Sequence, residues 1–441
     1  MKKLIGTVAV AALLASAAFA EITFGAWLRV VAAPVASDGD DILSGMTNSW
    51  GYGARPARLN ISATSEDEKV GFSMGVYNDA WDGIAAGDDV VIWARPWDWL
   101  KISLGQWDYT TFRGDLAYGS WEWIRPVNWI IDDEGLTFDK LGAKNGIQLE
   151  LAPVEGLLIM WNLPLAKGFN KFNDKSDDYK VGATGNVELD DDGNPVHADK
   201  STTNYAYKMF EQQDIAAKYT IGDIGTIKLG WGGQGKRNDN DDKYLGDINV
   251  AFDLTAVENL FLTVGVKIPV ASSDYKDGVA ADAYKNVEKG ESADLFKFIK
   301  AALGVSYQVL DNLKISASYG MQTYSKYDAG VTVKELPRHQ FGIGVDVGLT
   351  DSLTLNADFR GLLGGGYKMD GEKVDDSAPD PQFSFLLGLR YNVSSNGYVG
   401  IGFQGSTGDC GFLKDSWGIN PSSEKEKAFC WAVPIAVSVW F

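Results

Sequence analysis

Apolar residues alternate with small or polar ones, at a period of two, from one end of the chain to the other. Ile22, Phe24, Ala26, Leu28 and Val30 alternate with Thr23, Gly25, Trp27 and Arg29; Leu353, Leu355, Ala357 and Phe359 alternate with Thr354, Asn356, Asp358 and Arg360. Phe383, Phe385, Leu387, Leu389 and Tyr391 do the same with Ser384, Leu386, Gly388, Arg390 and Asn392. Successive side chains of a strand point to opposite sides, so each segment has one oily and one wet face. A soluble sandwich buries the oily face in a core, whereas a membrane barrel turns it to lipid. Alternation alone does not choose between them.

The connections choose. Strands are predicted near 22–31, 55–63, 69–77, 88–95, 99–107, 144–151, 157–163, 212–221 and 225–233, then near 246–254, 260–268, 297–309, 313–324, 337–349, 353–364, 381–393, 397–407 and 428–441. Short turns such as Pro96-Trp97-Asp98, Asp311-Asn312 and Ser394-Ser395-Asn396 alternate with long polar loops. The long connections include those near 32–54, 108–143, 164–211, 269–296 and 408–427. This asymmetry predicts an all-β fold, a transmembrane antiparallel β-barrel of about eighteen strands (16–18) with short periplasmic turns and long external loops.

The ends and the composition agree. Lys2 and Lys3, the apolar run Leu4 to Phe19 and the small-x-small pattern Ala18-Phe19-Ala20 predict a secretory signal peptide over 1–20, leaving 21–441 as the barrel. With 50 Gly, 15 Trp, 18 Tyr and 20 Phe against 2 His, the chain suits strands, tight turns and interfacial aromatics. The net charge of −19 puts excess acid in the loops and excludes nucleic acid as a partner, since its phosphates would be repelled.

The final segment places Trp431, Val433, Ile435, Val437, Val439 and Phe441 on one face and stops on the aromatic. This resembles the carboxy-terminal assembly signal of bacterial outer-membrane barrels. By that resemblance Phe441 is read by the barrel-assembly machinery, and the protein resides in the cell outer membrane. Across nearly the whole mature chain the architecture resembles the general porins. The hairpin Trp93-Ala94-Arg95-Pro96-Trp97-Asp98-Trp99-Leu100-Lys101-Ile102-Ser103-Leu104-Gly105 is also similar to one in spirochaete outer-membrane proteins. The resemblance implies passive diffusion of small hydrophilic solutes or ions, and the homotrimer that porins often adopt.

A barrel of sixteen or more strands is too wide for its own side chains to fill, so width argues for transport. The face bearing Arg29, Arg58, Lys101, Lys218, Lys228, Lys267, Lys300, Lys314, Arg360 and Arg390 must be the lumen, because Arg or Lys facing lipid at the midplane costs about 2–4 kcal/mol. Glu150, Asp247, Asp253, Asp346 and Asp358 share that face, and the basic excess predicts a mild anion preference behind an acidic vestibule. In general porins the third external loop folds into the pore. Here that loop is 108–143, and the resemblance makes Arg113, Asp115, Glu122 and Arg125 an eyelet with a transverse field.

Aromatics between Trp81 and Trp129, including Trp93, Trp97, Trp99 and Trp107, are expected at the lipid headgroups; alternatively Tyr118, Trp121, Trp123 and Trp129 form a stacking path for sugar rings. Cys410 and Cys430 bracket the last external loop, and export to an oxidising compartment favours a disulfide. No enzyme, cofactor or metal site is expected. Gly230 to Lys236 has phosphate-loop spacing, but Arg237 replaces the required Ser or Thr; His197 and His339 lack partners for a zinc or Ser-His site. A surface or adhesive protein anchored by the barrel is the other function class compatible with acidic loops.

Overall fold

The computed structural model describes residues 20–47, 57–79, 83–107, 131–132, 135–136, 144–165, 172–179, 197–202, 213–233, 245–271, 299–323, 327–328, 332–369, 371–374, 380–407 and 429–441. Strands dominate. Along the chain they are β1 (Ala20–Ser37), β2 (in two pieces, Ile42–Thr47 and Ala57–Ser65), β3 (Val70–Asp79), β4 (Gly83–Trp97), β5 (Leu100–Trp107) and β6 (Lys144–Leu151). β7 (Leu157–Pro164), β8 (Asp214–Ile221), β9 (Gly225–Gly233), β10 (Leu245–Leu254), β11 (Leu260–Ala271) and β12 (Ile299–Leu310) follow. The wall ends with β13 (Leu313–Thr323), β14 (Arg338–Gly348), β15 (Leu353–Gly364), β16 (Gln382–Ser394), β17 (Gly397–Ser406) and β18 (Cys430–Trp440).

Each strand pairs antiparallel with its neighbour in sequence, and β1 pairs with β18 from Trp27↔Trp440 to Ser37↔Trp431, closing the sheet into an eighteen-stranded barrel. One edge of β1 carries both pieces of β2: Ala20–Leu28 faces Ala57–Ser65, and Val31–Ser37 faces Ile42–Thr47. The two pieces therefore lie end to end in one position of the wall. The segment expected as a loop from about residue 32 is instead strand as far as Ser37, and a tight turn at residues 38–41 returns the chain. Pairing continues through a register shift between Ala33 and Ala36, where Ala32-Ala33-Pro34 interrupts the alternation that predicted the strand.

The short turns lie at one end, where polar side chains satisfy backbone groups. The Ser65 hydroxyl accepts from the Lys69 and Val70 amides and donates to Asp67; the side-chain amides of Asn312 and Asn396 donate to the Gly348 and Trp440 carbonyls, each at 3.0 Å. Lys69 pairs with Asp98 across two turns at 2.6 Å, and that hydrogen bond holds the Asp98 carboxyl below the usual carboxylate range. At the opposite end the long connections carry further strands. Phe172–Tyr179 pairs with His197–Thr202 inside the predicted 164–211 loop. Tyr327–Asp328, Thr332–Glu335, Tyr367–Met369 and Glu372–Lys373 join two neighbouring connections in a four-stranded sheet that the alternation did not announce. The predicted 408–427 loop lies outside the described residues, as does the predicted 269–296 loop from residue 272 on; its first three residues are instead strand, the end of β11.

Candidate functional site

In a closed barrel the pleat gives each strand one inward and one outward face. Outward positions are aliphatic or aromatic and stand exposed, Leu303 at 42%, Leu387 at 53% and Ile92 at 67%. Inward positions next to them include the small residues Ala302 and Gly304 beside Leu303 and Gly388 beside Leu387, with the larger Leu386 and Trp93 as exceptions. No helix among the described residues is long and apolar enough to cross a membrane. The exposed apolar face of the strands is the surface available to lipid.

The inward face gathers ions and amides into short networks. Lys101 Nζ lies 2.8 Å from Glu150 across β5 and β6. Lys228 Nζ lies 2.9 Å from Asp253, which also accepts from the Thr263 hydroxyl at 2.7 Å. Lys314 stands opposite Asp346 in register, and Asp346 accepts from the Asn356 amide at 2.7 Å. Arg360, fully buried, has its Nε 3.4 Å from Asp358. Arg390 donates to Asn392 at 3.0 Å while its guanidinium lies 4.8 Å from the Tyr398 ring centre. Arg58 donates to Asn60, and Arg29 Nε donates to the Ser438 hydroxyl across the β1–β18 seam. Arg29, Arg58, Lys101, Lys314, Asp346, Asp358, Arg360 and Arg390 share this parity, and most engage one another or neutral amides.

Alternation also reveals inward residues that a search for charge alone passes over. Gln148 donates to Asn162 at 2.9 Å, and Asn249, Gln340 and Gln404 are buried on the same face, as is the carboxylate Asp214. Trp93 departs from the expected lipid girdle. It shares parity with Lys101, whose ammonium lies 5.5 Å from its ring centre, and it covers Gly71. Its parity, opposite to the exposed Ile92, is the sequence signal that places it inward. Trp97 and Trp99 stack at 5.5 Å and are exposed at the turn end. The cations divide by type around the ring: lysines on β8 to β13 (Lys218, Lys228, Lys267, Lys300, Lys314), arginines from β14 through the seam to β2 (Arg338, Arg360, Arg390, Arg29, Arg58).

The four residues expected at an eyelet, Arg113, Asp115, Glu122 and Arg125, lie outside the described residues, as do Tyr118, Trp121, Trp123 and Trp129. A later part of the same connection is described. Ile131–Asp132 pairs with Gly135–Leu136, and it approaches β13 within 8 Å between Cα atoms. The connection springs from β5 and returns to β6, so it reaches the opposite side of the ring. Eighteen strands at about 4.8 Å spacing and a tilt near 40° make a barrel about 35 Å across.

Cys430 is disulfide-bonded and fully buried at the start of β18; the chain has 2 cysteines, and Cys410 lies outside the described residues. Phe441 exchanges two backbone hydrogen bonds with Ala26, at 2.8 and 2.9 Å, at the turn end of the seam. His339 shares a hydrogen bond with the Tyr319 hydroxyl on the outer face, and among the described residues no group of His, Cys, Asp and Glu could hold a metal ion.

No known protein family matches the sequence, and no curated protein matches it. Solved structures do. An anion-selective porin from Comamonas acidovorans is 11% identical over 96% of this chain and 100% of its own, with a TM-score of 0.49. OccD3 (OpdP) of Pseudomonas aeruginosa is 8% identical over 95% of this chain and 91% of its own, at 0.47. OmpT, an outer membrane protein of Vibrio cholerae, is 11% identical over 96% and 98%, at 0.45. The barrel itself rests on the strand pairing of this chain.

Proposed function

We propose that this chain is a porin-like channel of the bacterial outer membrane, through which small hydrophilic solutes or ions diffuse passively. The observation that carries the reading is the two-faced wall: an unbroken ring with an oily exterior and an interior of paired charges and amides. A ring this wide suits a water-filled path, and the inward cations outnumber the inward carboxylates, which favours anions. The planar guanidiniums of the arginine side suit carboxylates better than the lysine side does. No chemistry is assigned to the chain. Its partners in this reading are outer-membrane lipid, the barrel-assembly machinery and the solutes themselves.

The same reading makes the 108–143 connection a constriction. Its approach to β13, far around the ring from β5 and β6, supports a segment that spans the path rather than one splayed over the surface. Arg113, Asp115, Glu122 and Arg125 then bring both signs of charge to the narrowest part.

Planar-bilayer recording of the purified protein tests the reading. Discrete conductance steps are expected, with a reversal potential in a salt gradient on the anion side, and liposomes carrying the protein should swell in small sugars. Cation selectivity would remove the anion preference. A folded barrel that neither conducts nor admits sugars would overturn the channel and leave an anchor for acidic surface loops.

A further inference from the structure

Along most of the inner wall a cation is set against a carboxylate or an amide, as Lys101 is against Glu150 and Lys314 against Asp346. One row near the loop end departs from that rule. Across β10 to β15 it reads Asn249, Lys267, Lys300, Gln322, Arg338 and Gly364, each opposite the next in register. Lys267 and Lys300 are direct register partners, and none of the six is a carboxylate. Like charges set directly opposite each other weaken a sheet, so the arrangement favours a negative group placed between them. The other opposed lysines of the wall, Lys218 and Lys228, have such a group in Asp253, 2.9 Å from Lys228.

The surroundings of the row fit a small ligand rich in oxygen atoms. Arg338 Nε is buried and has no hydrogen-bond partner among the described residues, and a buried donor in that state is costly unless an acceptor reaches it. Two amides lie beside it, Gln322 opposite in register and Gln340 two positions along the same strand, both buried. Toward the turn end the next two inward rows carry little bulk. Gly265, Ala302 and Gly320 stand in the first, and Gly304, Ser318 and Gly342 in the second. The wall is therefore recessed below the three cations. Lys267 and Arg338 are three strand intervals apart, about 14 Å, and long side chains on a concave wall converge over such a recess.

We infer that this arc is a binding site for a phosphoryl dianion, either inorganic phosphate or a phosphate monoester. Lysine ammoniums act on phosphate as compact charges that turn toward any of its oxygens, and the arginine fork adds parallel donors. A phosphoryl group carries close to two negative charges at neutral pH, enough to answer both opposed lysines, whereas chloride or a monocarboxylate answers only one. The arc lies where the lysine sector of the wall meets the arginine sector, so both kinds of donor reach one ligand. The site deepens the channel reading and rests on it, since solutes must reach the inward face.

The test is titration calorimetry of the whole folded protein in non-ionic detergent with inorganic phosphate, glycerol phosphate and acetate, followed by chloride conductance in planar bilayers with phosphate added. At least one phosphate probe should bind at least tenfold tighter than acetate and reduce the chloride current over the same concentration range; which of the two does so tells whether the group arrives free or as an ester. K267Q/K300Q and R338Q should each lose at least tenfold in phosphate affinity, while K69Q, which removes a charge at the turn end, should bind as wild type. Heat-modifiable gel mobility reports folding, and should the double variant not fold, R338Q decides. Urea midpoints give a second measure: Lys300→Gln relieves the opposed pair and should unfold at or above the wild-type midpoint without phosphate, and added phosphate should raise the wild-type midpoint but not that of K267Q/K300Q. Phosphate binding no tighter than acetate, or unchanged in the folded variants, overturns the inference, and chloride steps in that same protein would leave the channel reading standing. A protein that binds phosphate as expected but passes no current keeps the site and removes the channel.

Discussion

The Lys228–Asp253 pair on the inner wall offers a sharp test of how the lumen is held together. Both side chains are nearly buried, at 8% and 6%, with 2.9 Å between Nζ and the carboxylate. At an effective dielectric near 20 that separation is worth about 6 kcal/mol of attraction, offset by several kcal/mol for desolvating each ion. The pair is therefore nearly neutral as a whole and costly when halved. Asp253→Ala removes the countercharge and the acceptor of the Thr263 hydroxyl, and should lower folding stability by about 3–5 kcal/mol. Lys228→Met with Asp253→Leu removes both charges together and should cost about 1 kcal/mol or less. Urea titration of folding into lipid vesicles, followed by tryptophan fluorescence, measures both within a double-mutant cycle. A single variant within about 1 kcal/mol of wild type, or a double variant as costly as the single, would refute the claim that these ions are desolvated.

Other expectations follow from particular contacts. Gly71→Ala would place a methyl group 2.4 Å from the Trp93 ring and 2.6 Å from the Ala63 carbonyl oxygen, and backbone cannot yield cheaply, so a loss of about 1–3 kcal/mol is expected in the same titration. Gly45→Ala meets nothing within 4 Å and should change stability by less than about 0.5 kcal/mol. The lowered Asp98 carboxyl contributes stability that is present above the unfolded carboxylate range and lost as pH falls through its folded value. Hydrogen exchange at the β4–β5 turn should accordingly quicken in acid, and Asp98→Asn should flatten that response. Deleting residues 112 to 134 should raise single-channel conductance if the connection narrows the path; unchanged conductance would place it elsewhere.

The barrel was legible in the sequence because a wall between oil and water must alternate, and each of the eighteen strands announced itself that way. What alternation missed lies where the period is broken or too short to show. Beyond Val31, β1 runs on in the seam with β18 and pairs with Ile42–Thr47 on its other edge, and there Ala32-Ala33-Pro34 and a register shift between Ala33 and Ala36 break the period. The four-stranded sheet at the loop end joins short segments around Tyr327, Val333, Met369 and Glu372, each too brief to show a period. The inward wall was legible as charge, and parity placed Arg29, Arg58, Lys101, Lys314, Asp346, Asp358, Arg360 and Arg390 together. Partners such as Asn60, Asn392 and Asn162 were not, because a neutral amide carries no sign and could serve a turn as readily as a network. Trp93 shows the converse, a residue type read as a membrane anchor whose place was decided by its neighbours' parity.

The seam between β1 and β18 joins positions as far apart as Arg29 and Ser438, separated by 409 residues. Every other barrel pairing can form as its hairpin is made, but this one waits for nearly the entire polypeptide. It carries the greatest loop-closure cost in the barrel wall. Until it forms, both rims offer unsatisfied amides and carbonyls to any strand that passes. A chain stalled at that moment would zip onto its neighbour instead of itself, so shortening β18 should produce stacked, swapped polymers before it produces a leaky ring.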